Sequence, residues 1–235
     1  MFISDIKLIV SIKALLFAFL SPFVLILLLL FVYPLFSGLT RTGNGLIPGC
    51  FYSLTAITVI SAIPFIYGLV FSYIHLYEPP SPNDSSVELI KKEAKNILNT
   101  RIAVSAFLSF IILLPAIFLT DAVSTEGWLR SICASFLMAM MAPFIFLFVV
   151  GFARDRKKGM VLSVISIMFL VTVPSGLMLH HPWSYFAFFS PFYWISWAWV
   201  VASPAESLIY GAISVLITSA GMLIFYRCIL KNNRS

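Results

Sequence analysis

Lysine and arginine are distributed unevenly between the apolar stretches of this chain. Of the fifteen, only Arg41 and Arg130 lie in one set of alternate gaps, and the rest lie in the other set or at the chain ends. Because basic residues near membrane spans stay cytoplasmic, the pattern predicts an even number of spans with both termini in the cytoplasm. The residues predicted to be cytoplasmic are Lys7, Lys13, Lys91, Lys92, Lys95, Arg101, Arg154, Arg156, Lys157, Lys158, Arg227, Lys231 and Arg234.

The composition predicts a protein that lives in a bilayer. Hydrophobic residues make up 61% of the chain and charged residues 10%. Six spans of about 20 residues use more than half of the 235 residues, and with the loops between them little remains for a globular domain on either side. The net charge of +6 is explained by topology and anionic lipid, without nucleic acid. We predict a single all-α domain over residues 1–235 in the cell membrane, with transmembrane helices at 14–36, 50–76, 102–120, 131–152, 160–179 and 206–228.

Two amphipathic segments lie outside the predicted spans. Residues 1–13 predict an interfacial helix along the inner leaflet. Residues 84–98 predict a cytoplasmic helix parallel to the membrane, because Ser85 and Glu88 are spaced as a capping box and apolar residues then recur at helical spacing. An interfacial anchor and a docking element for a soluble partner fit this second helix equally well. Its apolar positions are Val87, Ile90, Ala94, Ile97 and Leu98.

The stretch 183–199 is long and apolar enough to be mistaken for a span. Counting it as one would place the C-terminal basic residues outside, against the charge bias. It holds ten aromatic residues in seventeen, interrupted by Ser190 and Pro191. We therefore predict an outer-leaflet re-entrant hairpin of two half-helices over residues 180–204, surrounded by protein. Its marker residues are Pro191, Tyr193 and Trp194.

Prolines inside the spans predict local distortion. Pro64 removes a backbone hydrogen bond from the second span, and a simple kink is preferred over a gating hinge. Pro174 and Gly176 predict a backbone break near the outer end of the fifth span.

The motifs of a membrane enzyme are missing. The six predicted spans hold almost no titratable side chains, and His180 with His181 lacks the cysteine or carboxylate that would complete a zinc site. Neither GxSxG nor GxxxxGK[ST] occurs, so ATP-driven work needs a partner chain. The spacing of Cys50 and Cys133 leaves open whether they form a disulfide.

Three stretches together indicate a family. They are Tyr67-Gly68-Leu69-Val70 through Leu76-Tyr77-Glu78, Ala142-Pro143 through Phe152-Ala153-Arg154-Asp155-Arg156-Lys157-Lys158-Gly159, and Ser190-Pro191-Phe192-Tyr193-Trp194. In order and spacing, and with the elements above, they resemble ABC-2 type transporter permeases, in particular the small fluoroquinolone-export type. The chain departs from that pattern at residues 79–82, where prolines replace a charged, glycine-containing turn.

The resemblance implies an assembly of two permeases, either two copies or a sister pair, above two ABC ATPase subunits. ATP and Mg would be bound by the ATPases, and this chain would bind no cofactor. Docking is expected on the helix at 84–98, with residues 154–158 as a second contact whose preferred interpretation is a topology anchor. The candidate docking residues are Glu78, Ser85, Glu88, Lys91, Lys92, Lys95, Arg154 and Lys157.

The resemblance also implies export along the interface between the two permeases, lined by the first, second and fifth spans. Candidate lining residues are Phe17, Phe65, Tyr67 and Phe71, although ordinary packing or lipid contact is preferred for each. An uncharged lining favours a hydrophobic or amphipathic substrate, such as a drug, lipid or peptide. The alternative function is a non-transporting immunity or assembly protein, which would not depend on ATP hydrolysis.

Overall fold

The described part of the chain is built from helices. The computed structural model describes residues 5, 9, 12–40, 47–77, 87–119, 128–153, 155–178, 187–200 and 203–232, and no strand occurs among them. The helices are α1 (Lys13–Thr40), α2 (Ile47–Tyr77), α3 (Val87–Leu119), α4 (Trp128–Ala139), α5 (Met141–Phe152), α6 (Arg156–Met178), α7 (Pro191–Val200) and α8 (Pro204–Asn232).

Helix α2 lies at the centre of the bundle and contacts α1, α3, α5 and α6. Within the chain, 67% of the α2 span is buried, against 17% of the α8 span. Large apolar side chains are exposed along α1, α6 and α8, including Phe31, Met168 and Leu216. Such extended apolar surface is unstable in water and suits a membrane.

Five helical segments of the described chain are long and apolar enough to cross a membrane. A shorter apolar segment, Lys13–Leu28, occupies the first part of α1. The prediction of an all-α, multi-pass membrane protein is therefore confirmed, while the count of six spans stays a prediction. The five segments are Thr55–Tyr77, Lys95–Phe118, Ile132–Phe152, Arg156–Pro174 and Ala205–Leu230.

Helix α3 differs from the prediction. It runs for 33 residues without a break, so residues 87–98 are the first turns of the third span's helix and not a separate helix parallel to the membrane. At 1.5 Å per residue it is about 50 Å long, against about 30 Å for the hydrocarbon core. The chain around Leu98 and Arg101 contains no proline or glycine that would end the helix. Residues 84–86 lie outside the described residues.

The prolines of the second and fifth spans lie inside continuous helices, and the predicted kink at Pro64 stays a prediction. Helix α2 continues through Pro64, and α6 continues through Pro174 to Met178, so the predicted break in the fifth span is wrong. Beside Pro174, the Thr172 hydroxyl donates to the Phe169 carbonyl at 2.6 Å. The carbonyl that Pro174 leaves without its helical donor is that of Leu170, so this bond lies one residue before the gap.

A break that the sequence did not suggest lies at Met140, between α4 and α5. Pro143 has no N–H to donate to the carbonyl of Ala139, which interrupts the helical ladder. The irregularity is local, because the Met140 amide still donates to the Phe136 carbonyl at 3.2 Å. The two helices together form the predicted fourth span.

Helix α7 is too short to be a span. Its 10 residues rise about 15 Å, half the thickness of the hydrocarbon core. This agrees with excluding residues 191–200 from the span count, while the first half of the predicted hairpin, 179–186, lies outside the described residues. Three hydrogen bonds fix α7 and the residue before it. One joins the hydroxyl oxygens of Thr172 and Ser190 at 2.8 Å, and in the others Ser214 Oγ donates to the Pro191 carbonyl at 3.2 Å and Ser207 Oγ to the Ala198 carbonyl at 2.6 Å.

The close approach of α2 and α5 depends on Gly68. A Cβ atom placed there would lie 2.6 Å from the Ala142 carbonyl oxygen and 2.8 Å from Cβ of Ile145. The Ala142 oxygen is a backbone atom and Cβ of Ile145 is bonded directly to the backbone, so neither atom can move without moving α5. The two helices can therefore pack at this distance only with glycine at position 68.

We expect Gly68→Ala to destabilise the fold, because the helices must separate. Overpacking of this kind costs about 1–3 kcal/mol, more than the roughly 1 kcal/mol that alanine gains over glycine in a helix. The loss of stability is measured by thermal unfolding of the detergent-solubilised protein. Gly211→Ala is the matched control, since its Cβ would meet Leu137 Cδ1 at an ordinary 3.5 Å. Equal stability of the two variants would contradict the proposed role of Gly68.

Candidate functional site

A buried ion pair joins the N-terminal segment to α3. Arg101 Nη2 donates to Asp5 Oδ1 at 2.7 Å, and the two side chains are 2% and 5% exposed. Arg101 Nη1 lies 3.2 Å from Nδ1 of His75, which belongs to the last turn of α2. Three chain segments that are distant in sequence therefore meet at one guanidinium group.

The cluster has a defined proton arrangement. Arginine stays protonated in proteins and can only donate, so His75 Nδ1 accepts and the ring carries its proton on Nε2. The His75 ring packs edge-on against Phe146 of α5, with 5.8 Å between ring centroids. Ionisable groups within a membrane protein are costly to bury and mark functional sites by default. The Asp5–Arg101–His75 cluster is therefore the candidate site.

The turn of α3 at residues 98–101 is held on further sides. Leu98 is 3% exposed and belongs to the same apolar core as Ile9 of the N-terminal segment. The Tyr226 hydroxyl of α8 lies 3.1 Å from Asn99 Oδ1, to which it donates. The N-terminal segment, α2 and α8 thus all contact this one turn.

A second contact at the same end of the bundle joins α2 to α6. The Arg156 guanidinium lies 4.2 Å from the centre of the Tyr77 ring and donates to the Tyr77 carbonyl at 3.3 Å. It therefore satisfies a backbone acceptor at the end of α2 while stacking on an aromatic face. Asp155 Oδ1 accepts the Lys158 amide at 2.8 Å, as a helix N-cap does.

The candidate docking residues are only partly described. Lys95 on α3 and Lys157 on α6 are exposed. Glu88, Lys91 and Lys92 lie on the first turns of α3. Glu78, Ser85 and Arg154 lie outside the described residues.

Three of the four candidate pathway residues pack inside a single chain. Phe65, Tyr67 and Phe71 belong to the apolar core, and the Tyr67 hydroxyl donates to the Phe19 carbonyl at 3.4 Å. Phe17 is 74% exposed on α1. Ordinary packing within the chain therefore accounts for Phe65, Tyr67 and Phe71. Of the four candidates, only Phe17 faces outward.

The hairpin residues form an aromatic cluster. Pro191 is the first residue of α7, where its fixed φ suits a helix start. Trp194 stacks on Phe188 with 5.4 Å between ring centroids and donates from Nε1 to the Phe188 carbonyl at 2.8 Å. Tyr193 contacts both rings, and Tyr210 of α8 contacts Trp194.

The sequence interpretation missed the ion pair. It assigned Arg101 to topology, His75 to the end of a span, and gave Asp5 no role. One signal was present: Arg101 follows Leu98 by three residues, which places a cation on the apolar face of the helix. No group of three or more histidine, cysteine or acidic side chains suited to a metal occurs in the described part of the chain.

We expect Arg101→Met to destabilise the protein by about 3–5 kcal/mol, because Asp5 would remain buried without its counter-charge. Asp5→Asn/Arg101→Met removes both charges and should be more stable than the single variant. Unfolding in detergent by heat or denaturant measures the difference. Additive losses in the double variant would show that the two side chains do not interact.

The chain was compared with protein families, curated proteins and solved structures. No curated protein and no solved structure matches the chain. The family described as "Fluoroquinolones export permease protein Rv2686c-like" matches residues 5–226, a range that includes Asp5, His75 and Arg101. The resemblance to the small fluoroquinolone-export type is thereby confirmed over nearly the whole chain, and the chain belongs to the Rv2686c-like family of fluoroquinolone export permeases.

Proposed function

We propose that this chain is the permease subunit of an ATP-driven ABC-2 exporter that moves a hydrophobic or amphipathic substrate out of the cell. The observation that carries the proposal is the family match over residues 5–226. The proposal places the chain in the cell membrane with both termini in the cytoplasm, as the distribution of basic residues predicts.

The energy for export would come from a separate ATPase. The sequence holds no GxxxxGK[ST] loop, the phosphate-binding motif of such motors. Helix α3 is about 20 Å longer than the hydrocarbon core is thick, so its N-terminal turns can reach a soluble subunit. Exposed Lys95 and Lys157 supply positive charge on the predicted cytoplasmic side. ATP and Mg would bind to the ATPase.

The exposed apolar faces leave room for a second permease. Phe17, Val24 and Phe31 on α1 are each more than half exposed, and so are Met160 and Met168 on α6. Lipid or another permease, either a second copy or a sister chain, would cover these faces. We propose that a permease pair encloses the substrate route.

The substrate would be hydrophobic or amphipathic. The described core holds one ion pair, and most of its buried hydroxyls bond to backbone carbonyls within the chain, as Ser61 and Ser72 do. A strongly polar substrate would need buried partners of its own. The family description names fluoroquinolones, which are planar and amphipathic, and one of them is therefore the first substrate to test.

The deciding experiment identifies the partners. The tagged permease is purified in mild detergent from its native host, and the copurified proteins are quantified by mass spectrometry. A P-loop ATPase at about one copy per permease, with ATP-dependent fluoroquinolone uptake into inside-out vesicles, supports the proposal. Recovery of the permease alone or with an unrelated partner, together with uptake that ignores ATP, would favour the immunity or assembly protein.

We expect charge reversal of Lys91, Lys92 and Lys95 to glutamate to weaken ATPase binding. Surface charge pairs contribute about 0.5 kcal/mol each, so losing three of them costs about 1.5 kcal/mol, or roughly tenfold in affinity. The measurement is the amount of ATPase copurified per permease. Arg227→Glu is the control, because Arg227 is exposed on the same predicted side and has no assigned role in docking. Unchanged copurification in the triple variant would contradict docking on α3.

A further inference from the structure

We propose that Arg101 is a positioning residue and that the turn at residues 98–101 is the fulcrum on which α3 acts as a rigid lever. This inference rests on the proposed function. In the proposed mechanism, the ATPase moves the N-terminal turns of α3. That movement is transmitted to the membrane-spanning part of the same helix, because no hinge separates the docking segment from the span.

The first support is the continuity of α3. The helix runs from Val87 to Leu119, and from 87 to 114 it contains neither proline nor glycine. Sharp kinks in helices occur almost always at proline, at glycine or serine pairs, or at inserted residues. The segment that would contact the ATPase and the segment that crosses the membrane therefore form one rod.

The second support is the position of the contacts around that rod. The N-terminal segment contacts it through Asp5 and Arg101 at 2.7 Å, α2 through His75 at 3.2 Å, and α8 through the Tyr226 hydroxyl and Asn99 at 3.1 Å. All three contacts lie within one helical turn. The rest of α3 packs against α2, α4 and α5, largely through apolar side chains. Packed helices can shift by small shear movements, so the helix tilts about the turn that the polar contacts hold.

The third support is the burial of the ion pair. Arg101 is 2% exposed, so moving it away from Asp5 would strand two charges in a nonaqueous interior. The fulcrum is thus the point of α3 that resists translation most strongly. Lys95, in the turns that would contact the ATPase, is exposed and is not held in this way. A push on the N-terminal turns therefore rotates the helix in place of sliding it.

The first test measures coupling in the copurified permease–ATPase complex in proteoliposomes, with fluoroquinolone and Mg-ATP as probes. We expect Arg101→Met to retain ATP hydrolysis while transport per ATP falls about five- to tenfold, the lower range of typical coupling between sites. The charge exchange Asp5→Arg/Arg101→Asp should restore part of the ratio. Arg227→Met is the control, since it removes an exposed cation on the same side and should leave the ratio unchanged.

A merely structural role gives a different result. ATPase binding, hydrolysis and transport would then fall together, and an unchanged ratio overturns the proposal. Where Arg101→Met does not fold, Tyr226→Phe serves instead, because it removes a single hydroxyl from an exposed contact. It should lower the ratio in the same direction, and an unchanged ratio in this variant also overturns the fulcrum.

The second test addresses rigidity directly. Spin labels at Asn96 and Ile111, both exposed, flank the turn and are separated by about 22 Å at 1.5 Å per residue. The labels are introduced in a variant that lacks Cys50, Cys133 and Cys228. We expect the distance between them to be the same without nucleotide and with vanadate-trapped ADP. A change of about 5 Å, the rise of one helical turn, would show a hinge and overturn the lever.

Failure of the proposed function is distinguishable from failure of the lever. If the unsubstituted complex shows no ATP-dependent transport, the exporter assignment fails before any variant is compared. If that complex transports and hydrolyses ATP, but the labels move apart or Arg101→Met keeps its coupling ratio, the assignment stands and the lever is wrong.

Discussion

The ion pair between Asp5 and Arg101 joins the N-terminal segment to α3 in a buried position. Either charge alone would be costly in a nonaqueous interior, so the N-terminal segment must stay against α3 for the fold to persist. His75 occupies a further donor of the guanidinium and thereby fixes the end of α2 to the same point. One arginine therefore sets the relative positions of three segments that the sequence separates widely.

Residues of the three stretches that carry the family resemblance form packing contacts between helices. Gly68 and Ala142 come from two different motifs, and they meet where α2 approaches α5 most closely. The same two motifs meet again where Arg156 stacks on Tyr77 and where Gly159 admits the side chain of Leu76. A larger residue at Gly68 would push α2 away from α5, whereas at Gly159 the end of the Leu76 side chain could rotate aside. The resemblance thus rests on residues that place helices, and none of these contacts resembles catalytic machinery.

Apolarity and charge distribution were sufficient to predict the membrane class, most span positions and the exclusion of residues 191–200 from the spans. Those features depend on the transfer of whole segments from water, which composition records directly. The continuity of α3 and the helical path through Pro174 depend on contacts made by other segments. The burial of Asp5 is a further case, because nothing within its own segment shows that Arg101 lies opposite. The spacing of residues describes one segment at a time, whereas these features depend on contacts between two segments.

The distribution of charge also limits how such a protein can change shape. Among the described side chains, Glu206 lies in the first turn of α8. The other charged ones lie at the end of the bundle predicted to be cytoplasmic: Asp5, Lys13, Lys95, Arg101, Asp155, Arg156, Lys157, Lys158 and Arg227. A bundle with an apolar middle offers no charged group there to attract or repel, so displacement must be imposed on whole helices from their ends. The helices best suited to receive it are those whose ends are tied into a few strong contacts. In this chain those contacts converge on Arg101 and Arg156, at the end of the bundle that the proposed function assigns to ATPase docking.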